Sequence, residues 1–183
     1  MSREDLIKPE LLAYAKFISA KASENSSDIL ANAGEDHAAI AMSNLFDKTQ
    51  LSVKMVIGCF DGRVSNQEIY KESLKDCLKK ENVKFQIIHL HDLNPESEAL
   101  AILKEYIPTG QVRIYKSDQS FREKLSKDGS EKHFSIYDDR MCRFEKDSEK
   151  FLAWFSFNDL KRTEELKAIF DQGLVNATET TFN

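Results

Sequence analysis

Two apolar runs separated by an amphipathic helix constrain this chain more than any other feature. Leu51, Val53, Met55, Ile57 and Cys59 alternate along the first run, and Val56 thickens its centre, which reads as a buried strand. Phe60-Asp61-Gly62-Arg63 follows as a turn. Ser65 and Glu68 then have the spacing of a capping box, opening a helix with Ile69, Tyr70, Leu74, Cys77 and Leu78 on one side. Residues 83–90 form the second run, with Val83, Phe85 and Ile87 on one face and Ile88 and Leu90 on the other. Strand, helix and strand in that order join as a right-handed crossover between parallel strands.

The rest of the chain extends this pattern. Asn94-Pro95 reads as a helix start, with Leu100, Ile102, Leu103, Tyr106 and Ile107 following before Pro108. Residues 111–116 are a short strand, and 117–130 a polar stretch with one weak helical turn around Phe121 and Leu125. Three strand-like runs then crowd together at 132–137, 141–145 and 151–157, the first two joined by the turn Asp138-Asp139-Arg140. Residues 160–170 are a last amphipathic helix. Ahead of the first strand, Leu11, Leu12, Tyr14, Ala15, Ile18 and Ala22 make a helical stripe behind Pro9, and a second helix is expected at 35–47. The expected class is a three-layer α/β domain, its mixed, mostly parallel sheet flanked by helices and preceded by an N-terminal helix or helical pair. The expected divisions are a lead-in at 1–34, the α/β domain at 35–172 and a frayed tail at 173–183.

Composition excludes several alternatives. Of 183 residues, 41% are hydrophobic, and only 6 Gly and 3 Pro occur, so disordered and collagen-like chains are out. No apolar run approaches the roughly 20 residues of a membrane helix, and acids at the N-terminus argue against a secretory leader. Cys59, Cys77 and Cys142 show no metal or disulfide spacing, which suits a reducing, cytoplasmic setting. A net charge of −5 argues against a broad grip on nucleic acid and leaves room only for a local basic groove.

The segment from Glu131 to Asp138, with Phe155-Ser156-Phe157-Asn158 after it, resembles the phospholipase D-like superfamily in element order and in part of its motif. That motif runs His, any residue, Lys, four residues, Asp, then a later Gly-Ser-x-Asn. Two residues apart on a strand share a face, so the family's His can attack phosphorus while its Lys holds the phosphate oxygens. Asp138 fits the Asp, and Ser156 and Asn158 fit the Ser-x-Asn, with Phe155 in place of Gly. Counting back from Asp138 puts Glu131 at the nucleophile position and His133 at the Lys position. A carboxylate there would repel a phosphodiester. The resemblance therefore implies a catalytically degenerate half-domain. It would bind a protein partner or a phosphate-bearing ligand through Asp138, Ser156, Asn158 and Arg140, and any function at that site would need a dimer, since a working site takes two motif-bearing halves. No cofactor and no metal are expected.

Two other functions compete with that reading. One is a divergent phosphodiesterase or nuclease using His133, with Glu131 as its orienting acid. The other is an unrelated α/β sensor or interaction domain. Three weaker signals accompany them. His89-Leu90-His91-Asp92 offers metal-like ligands at a strand exit, where α/β proteins bind ligands. Asp61-Gly62-Arg63 precedes a helix start where an anion could sit. Arg113, Lys116, Arg122, Lys124, Lys127, Lys132, Arg140 and Arg143 make 111–143 locally basic.

Overall fold

The computed structural model describes residues 3–182. Helix α1 (Leu12–Ser23) is followed by strand β1 (Leu30–Asn32), helix α2 (Glu35–Lys48), strand β2 (Ser52–Ile57) and helix α3 (Glu68–Leu78). Strand β3 (Lys84–His89), helix α4 (Glu98–Lys104), strand β4 (Val112–Lys116) and helix α5 (Gln119–Leu125) come next. Strands β5 (His133–Tyr137), β6 (Met141–Asp147) and β7 (Leu152–Ser156), helix α6 (Leu160–Val175) and strand β8 (Thr178–Glu179) complete the chain.

One eight-stranded sheet, ordered β1-β7-β6-β5-β2-β3-β4-β8, divides two apolar layers. On one face α1 to α4 pack over Phe46, Tyr70, Phe85, Tyr137 and Phe155; on the other α5 and α6 cover Val56, Ile88, Phe134 and Ile136. The three-layer, mixed-sheet class is therefore as expected, but the expected balance of strand directions is corrected. Among the described residues only β2–β3 and β3–β4 pair in parallel, and in each case a helix, α3 or α4, carries the chain back to the start of the neighbouring strand. β5, β6 and β7 are joined by short turns and can only run antiparallel, and β1 and β8 also close the two edges antiparallel.

Local details depart from the sequence reading in several places. The capping box does not form: α3 starts at Glu68 with Gln67 as its N-cap, and the Ser65 hydroxyl is buried without a hydrogen-bond partner. The loop at 60–66 overrides the local signal by turning through left-handed backbone at Phe60 and Gly62, so the chain enters the helix late. Ser97, not Asn94, caps α4, and Asp159, not Asn158, caps α6 by accepting from the Arg162 N–H. The polar stretch at 117–130 holds a capped helix, α5, whose Phe121 and Leu125 are buried. The lead-in supplies an edge strand, β1, and the segment expected as a tail holds the last turn of α6 and β8, with Asn183 outside the described residues. Among the described residues no helix is long and apolar enough to cross a membrane.

The α5–α6 contact is tight. A Cβ at Gly173 would lie 2.6 Å from Cζ of the buried Phe121 ring. Helix propensity favours Gly173→Ala by up to about 1 kcal/mol, but overpacking costs about 1–3 kcal/mol. A net loss of about 1–2 kcal/mol is expected in urea denaturation; a gain would show that Phe121 can step aside.

Candidate functional site

Strand direction decides which residues can meet. β5 runs antiparallel to β2, so its first residue, His133, lies at the C-terminal end of β2 beside Gly58, while Tyr137 pairs with Val53 near the β2 entry. His133 is directly opposite Glu145 on β6, and Ser135 opposite Arg143. Alternation puts all four on the α1–α4 face of the sheet. Gly58 matters here because a Cβ would stand only 3.2 Å from the His133 ring, so a glycine lets the imidazole close on the strand end.

These positions assemble a buried chain of charges. His133 Nε2 is 2.6 Å from Glu131 Oε1, and its Nδ1 is 3.1 Å from Glu145 Oε2. Arg143 donates through Nη2 to Glu145 Oε1 at 2.8 Å and through Nε to the Asn32 side-chain Oδ1 at 3.2 Å. Asn32 in turn donates to the Phe151 carbonyl, tying β1 into the network. The other Glu131 oxygen lies 2.6 Å from Nε2 of the exposed His91. Burial pushes the His133 imidazolium towards deprotonation, but hydrogen bonds and charges from Glu131 and Glu145 outweigh it and hold the pKa up at about 9. Burial pushes both carboxyls up, and their basic partners outweigh it, leaving Glu131 and Glu145 below the ordinary range. At neutral pH His133 is thus a cation donating from both nitrogens to two carboxylates.

These shifts imply a pH window for stability. The folded-state pKa of His133 exceeds its ordinary value of ~6.5, so its contribution is complete below about pH 6.5 and is lost as pH rises through about 9. The contributions of Glu131 and Glu145 are complete above the ordinary Glu value and are lost as pH falls through their lowered pKa values. Raising pH from 7 to 10 is expected to lower the urea midpoint more in the natural chain than in His133→Ala. Equal falls in both would contradict a cationic His133.

The network forms one wall of a cavity of about 250 Å³ at the C-terminal end of β2. Met42, Met55, Phe60, Tyr70 and Phe151 supply an apolar wall, and Arg63 lies over the Phe151 ring at 4.5 Å. Phe60 and Phe151, which line it, both have positive φ, of 58° and 50°. Bulky residues held in left-handed backbone carry strain that persists where the surroundings impose it, often at binding sites. A bulge on β6 between Glu145 and Asp147 sits beside the same cavity. Burial, with Asp61 and Glu131 nearby, pushes the Cys59 thiol up, so this cavity residue stays protonated.

Of the candidate site residues, Glu131 and His133 meet, whereas Asp138, Arg140, Ser156 and Asn158 lie at the other end of the sheet, about 16 Å away along β5 at ~3.3 Å per residue. Asp138 accepts from the backbone N–H groups of Gln50, Leu51 and Ser52. Arg140 donates to the Phe157 carbonyl and Asn25, and Ser156 hydrogen-bonds the Ser26 carbonyl and the Asn158 N–H. Ser156 is also on β7, separated from β5 by β6. The weaker signals disperse too. His89 bonds to the His91 carbonyl and Thr180, while Asp92 pairs with Lys116. No three metal-ligating side chains converge among the described residues. Arg63 is held by Asp61, and the basic residues of 111–143 do not gather: Arg143 is buried in the network, Arg122 donates to the Leu90 carbonyl, and Arg140 is at the far end. Sequence reasoning missed Asn32, Ser65 and Glu145 as site residues. A signal did exist for Glu145: with Arg143 it places opposite charges two residues apart on a strand, interleaved with the apolar Cys142 and Phe144, the pattern of a paired face.

No protein-family model and no curated protein matches the sequence. Solved structures do match. TrmBL2, an archaeal chromatin protein with a novel mode of DNA binding, superposes with a TM-score of 0.62 at 12% identity, over 93% of this chain and 62% of that one. Nuc, a phospholipase D family member from Salmonella typhimurium, gives 0.59 at 12% identity, over 85% of this chain and all of that one. The phosphatidylserine synthase of Haemophilus influenzae Rd KW20 gives 0.54 at 11% identity, over 84% and 39%. The chain thus spans less than two thirds of TrmBL2 and of the synthase. At such identities the likeness is one of architecture, and that architecture is phospholipase D-like.

Proposed function

We propose that this chain is a binding domain built on a phospholipase D-like frame, with the cavity beside His133 as its ligand site and His133 not acting as a nucleophile there. One observation carries this reading: both ring nitrogens of His133 face carboxylates, so the imidazole has no lone pair with which to attack phosphorus. Glu131, at the position of the family's nucleophile, is itself engaged by two histidines. The phosphodiesterase alternative needs a neutral, free His133 and is the less supported for that reason. Every member of the network comes from one chain. DNA binding belongs to TrmBL2, and the net charge of −5 gives it little support here.

The test is turnover of bis(4-nitrophenyl) phosphate and of single-stranded DNA by purified protein beside His133→Ala. No turnover above that variant's background is expected. Hydrolysis lost specifically with His133 would overturn the reading.

A further inference from the structure

We infer that the cavity takes a small, uncharged organic ligand that donates hydrogen bonds from one edge and presents an apolar face on the other. This rests on the binding reading above and specifies its ligand class.

The argument begins with charge. Four carboxylates line the cavity, those of Asp61, Glu131, Glu145 and Glu149, facing Arg63, Arg143 and cationic His133. Three of the carboxylates are matched by the three cations, and the fourth, exposed Glu149, leaves one negative charge. The three cations already have anionic partners: Arg63 on Asp61, Arg143 on Glu145, and His133 on Glu131 and Glu145. A phosphate entering here would find no unpaired cation, and its desolvation would go uncompensated unless an internal pair broke. An ammonium group meets the mirror-image difficulty at Glu131 and Glu145, whose charges are also matched, and the one unmatched carboxylate, Glu149, is solvent-exposed, where water screens its pull.

What remains available is hydrogen-bonding capacity without net charge. An ionised carboxylate offers about four lone-pair directions, and the bonds from His91 and His133 occupy two of those on Glu131. Ser65 adds an independent observation. Its side chain lines the cavity, the residue is 7% exposed, and its hydroxyl has no partner. A buried hydroxyl left unpaired costs about 1–3 kcal/mol, which a ligand hydroxyl or amide would remove. Opposite these groups, Met42, Met55 and Phe60 offer a surface to hydrocarbon. The volume, about 250 Å³, falls just below the ~300–1,000 Å³ typical of small-molecule sites, so the ligand is small.

The experiment is ligand-observed NMR on the full chain at low salt. Its probes are uncharged aromatic alcohols and amides (benzyl alcohol, benzamide), their charged analogues (benzylamine, phenyl phosphate), inorganic phosphate and a short single-stranded DNA. Each is repeated on Ser65→Leu, which fills the cavity, and on the near-isosteric Glu131→Gln in case Ser65→Leu fails to fold. The uncharged probes are expected to bind saturably, at least tenfold tighter than their charged analogues, and to weaken at least tenfold in whichever variant folds. Variant-sensitive binding led by phenyl phosphate, phosphate or DNA, or by benzylamine, would overturn this inference while leaving the binding reading standing. Absence of variant-sensitive binding by every probe would overturn both.

Discussion

Glu145→Ala is expected to destabilise the protein by about 3–5 kcal/mol, the usual cost of removing one member of a buried ion pair. Glu145 is the shared partner of Arg143 and His133, and its side chain is 7% exposed, that of Arg143 6%. Truncation would leave a guanidinium in the sheet interior with only the Asn32 side-chain Oδ1 to accept from it, and His133 with Glu131 alone. Urea denaturation followed by far-UV circular dichroism would measure the loss. Glu145→Gln retains an acceptor of the same shape and should lose less. If Glu145→Ala costs under about 1 kcal/mol, water or a side-chain shift must satisfy Arg143, and the network does not hold the site as described.

Asp138→Ala should cost about 2–4 kcal/mol through a different mechanism. Its carboxylate receives three backbone N–H groups at 2.7–3.0 Å, from Gln50, Leu51 and Ser52, and so anchors the start of β2. Hydrogen bonds to charged groups contribute about 1.5–3 kcal/mol each when buried and less where water can replace them, as at this half-exposed turn. Asp138 also sits at φ 53°, a conformation that costs an alanine roughly 1–2 kcal/mol. Asp138→Gly relieves the backbone but still lacks the acceptor, so the gap between the two variants isolates the backbone cost. Asp138→Asn, which tolerates the left-handed region and keeps one acceptor oxygen, should lie nearest the natural chain. Equal stability of all three variants and the parent would show that the clamp is dispensable.

The sheet centre was legible in the sequence because β2, β3, β5 and β6 bury enough alternating residues to reveal their period. β1 and β8 were not, since strands of three and two residues carry no periodicity and exist only because an edge is there to pair with. The capping box at Ser65 failed for a related reason: local spacing proposes a cap, but the route of the loop out of β2 decides it. Within the site, Glu131 and His133 stood out by motif position. Glu145 and Asn32 did not, because what joins them to His133 is pairing across β6, β7 and β1, which one-dimensional spacing does not encode. Ser156 and Asn158 illustrate the converse: their spacing matched a phosphate cradle while their strand lies beyond β6 and their end of the sheet is the far one.

The pairing of Leu30 with Phe155 and of Asn32 with Ala153 has a kinetic consequence. An early segment of the chain has no strand to join until residues more than a hundred positions later have been made and placed, and closing so long a loop is entropically slow. During synthesis the β2–β3–β4 core can form first, while Asn32 waits for β7 and Arg143 waits for Asn32. The Arg143 end of the network behind the cavity is therefore expected to be among the last parts of the molecule to mature. Lesions in β1 should delay acquisition of the site more than formation of the central sheet.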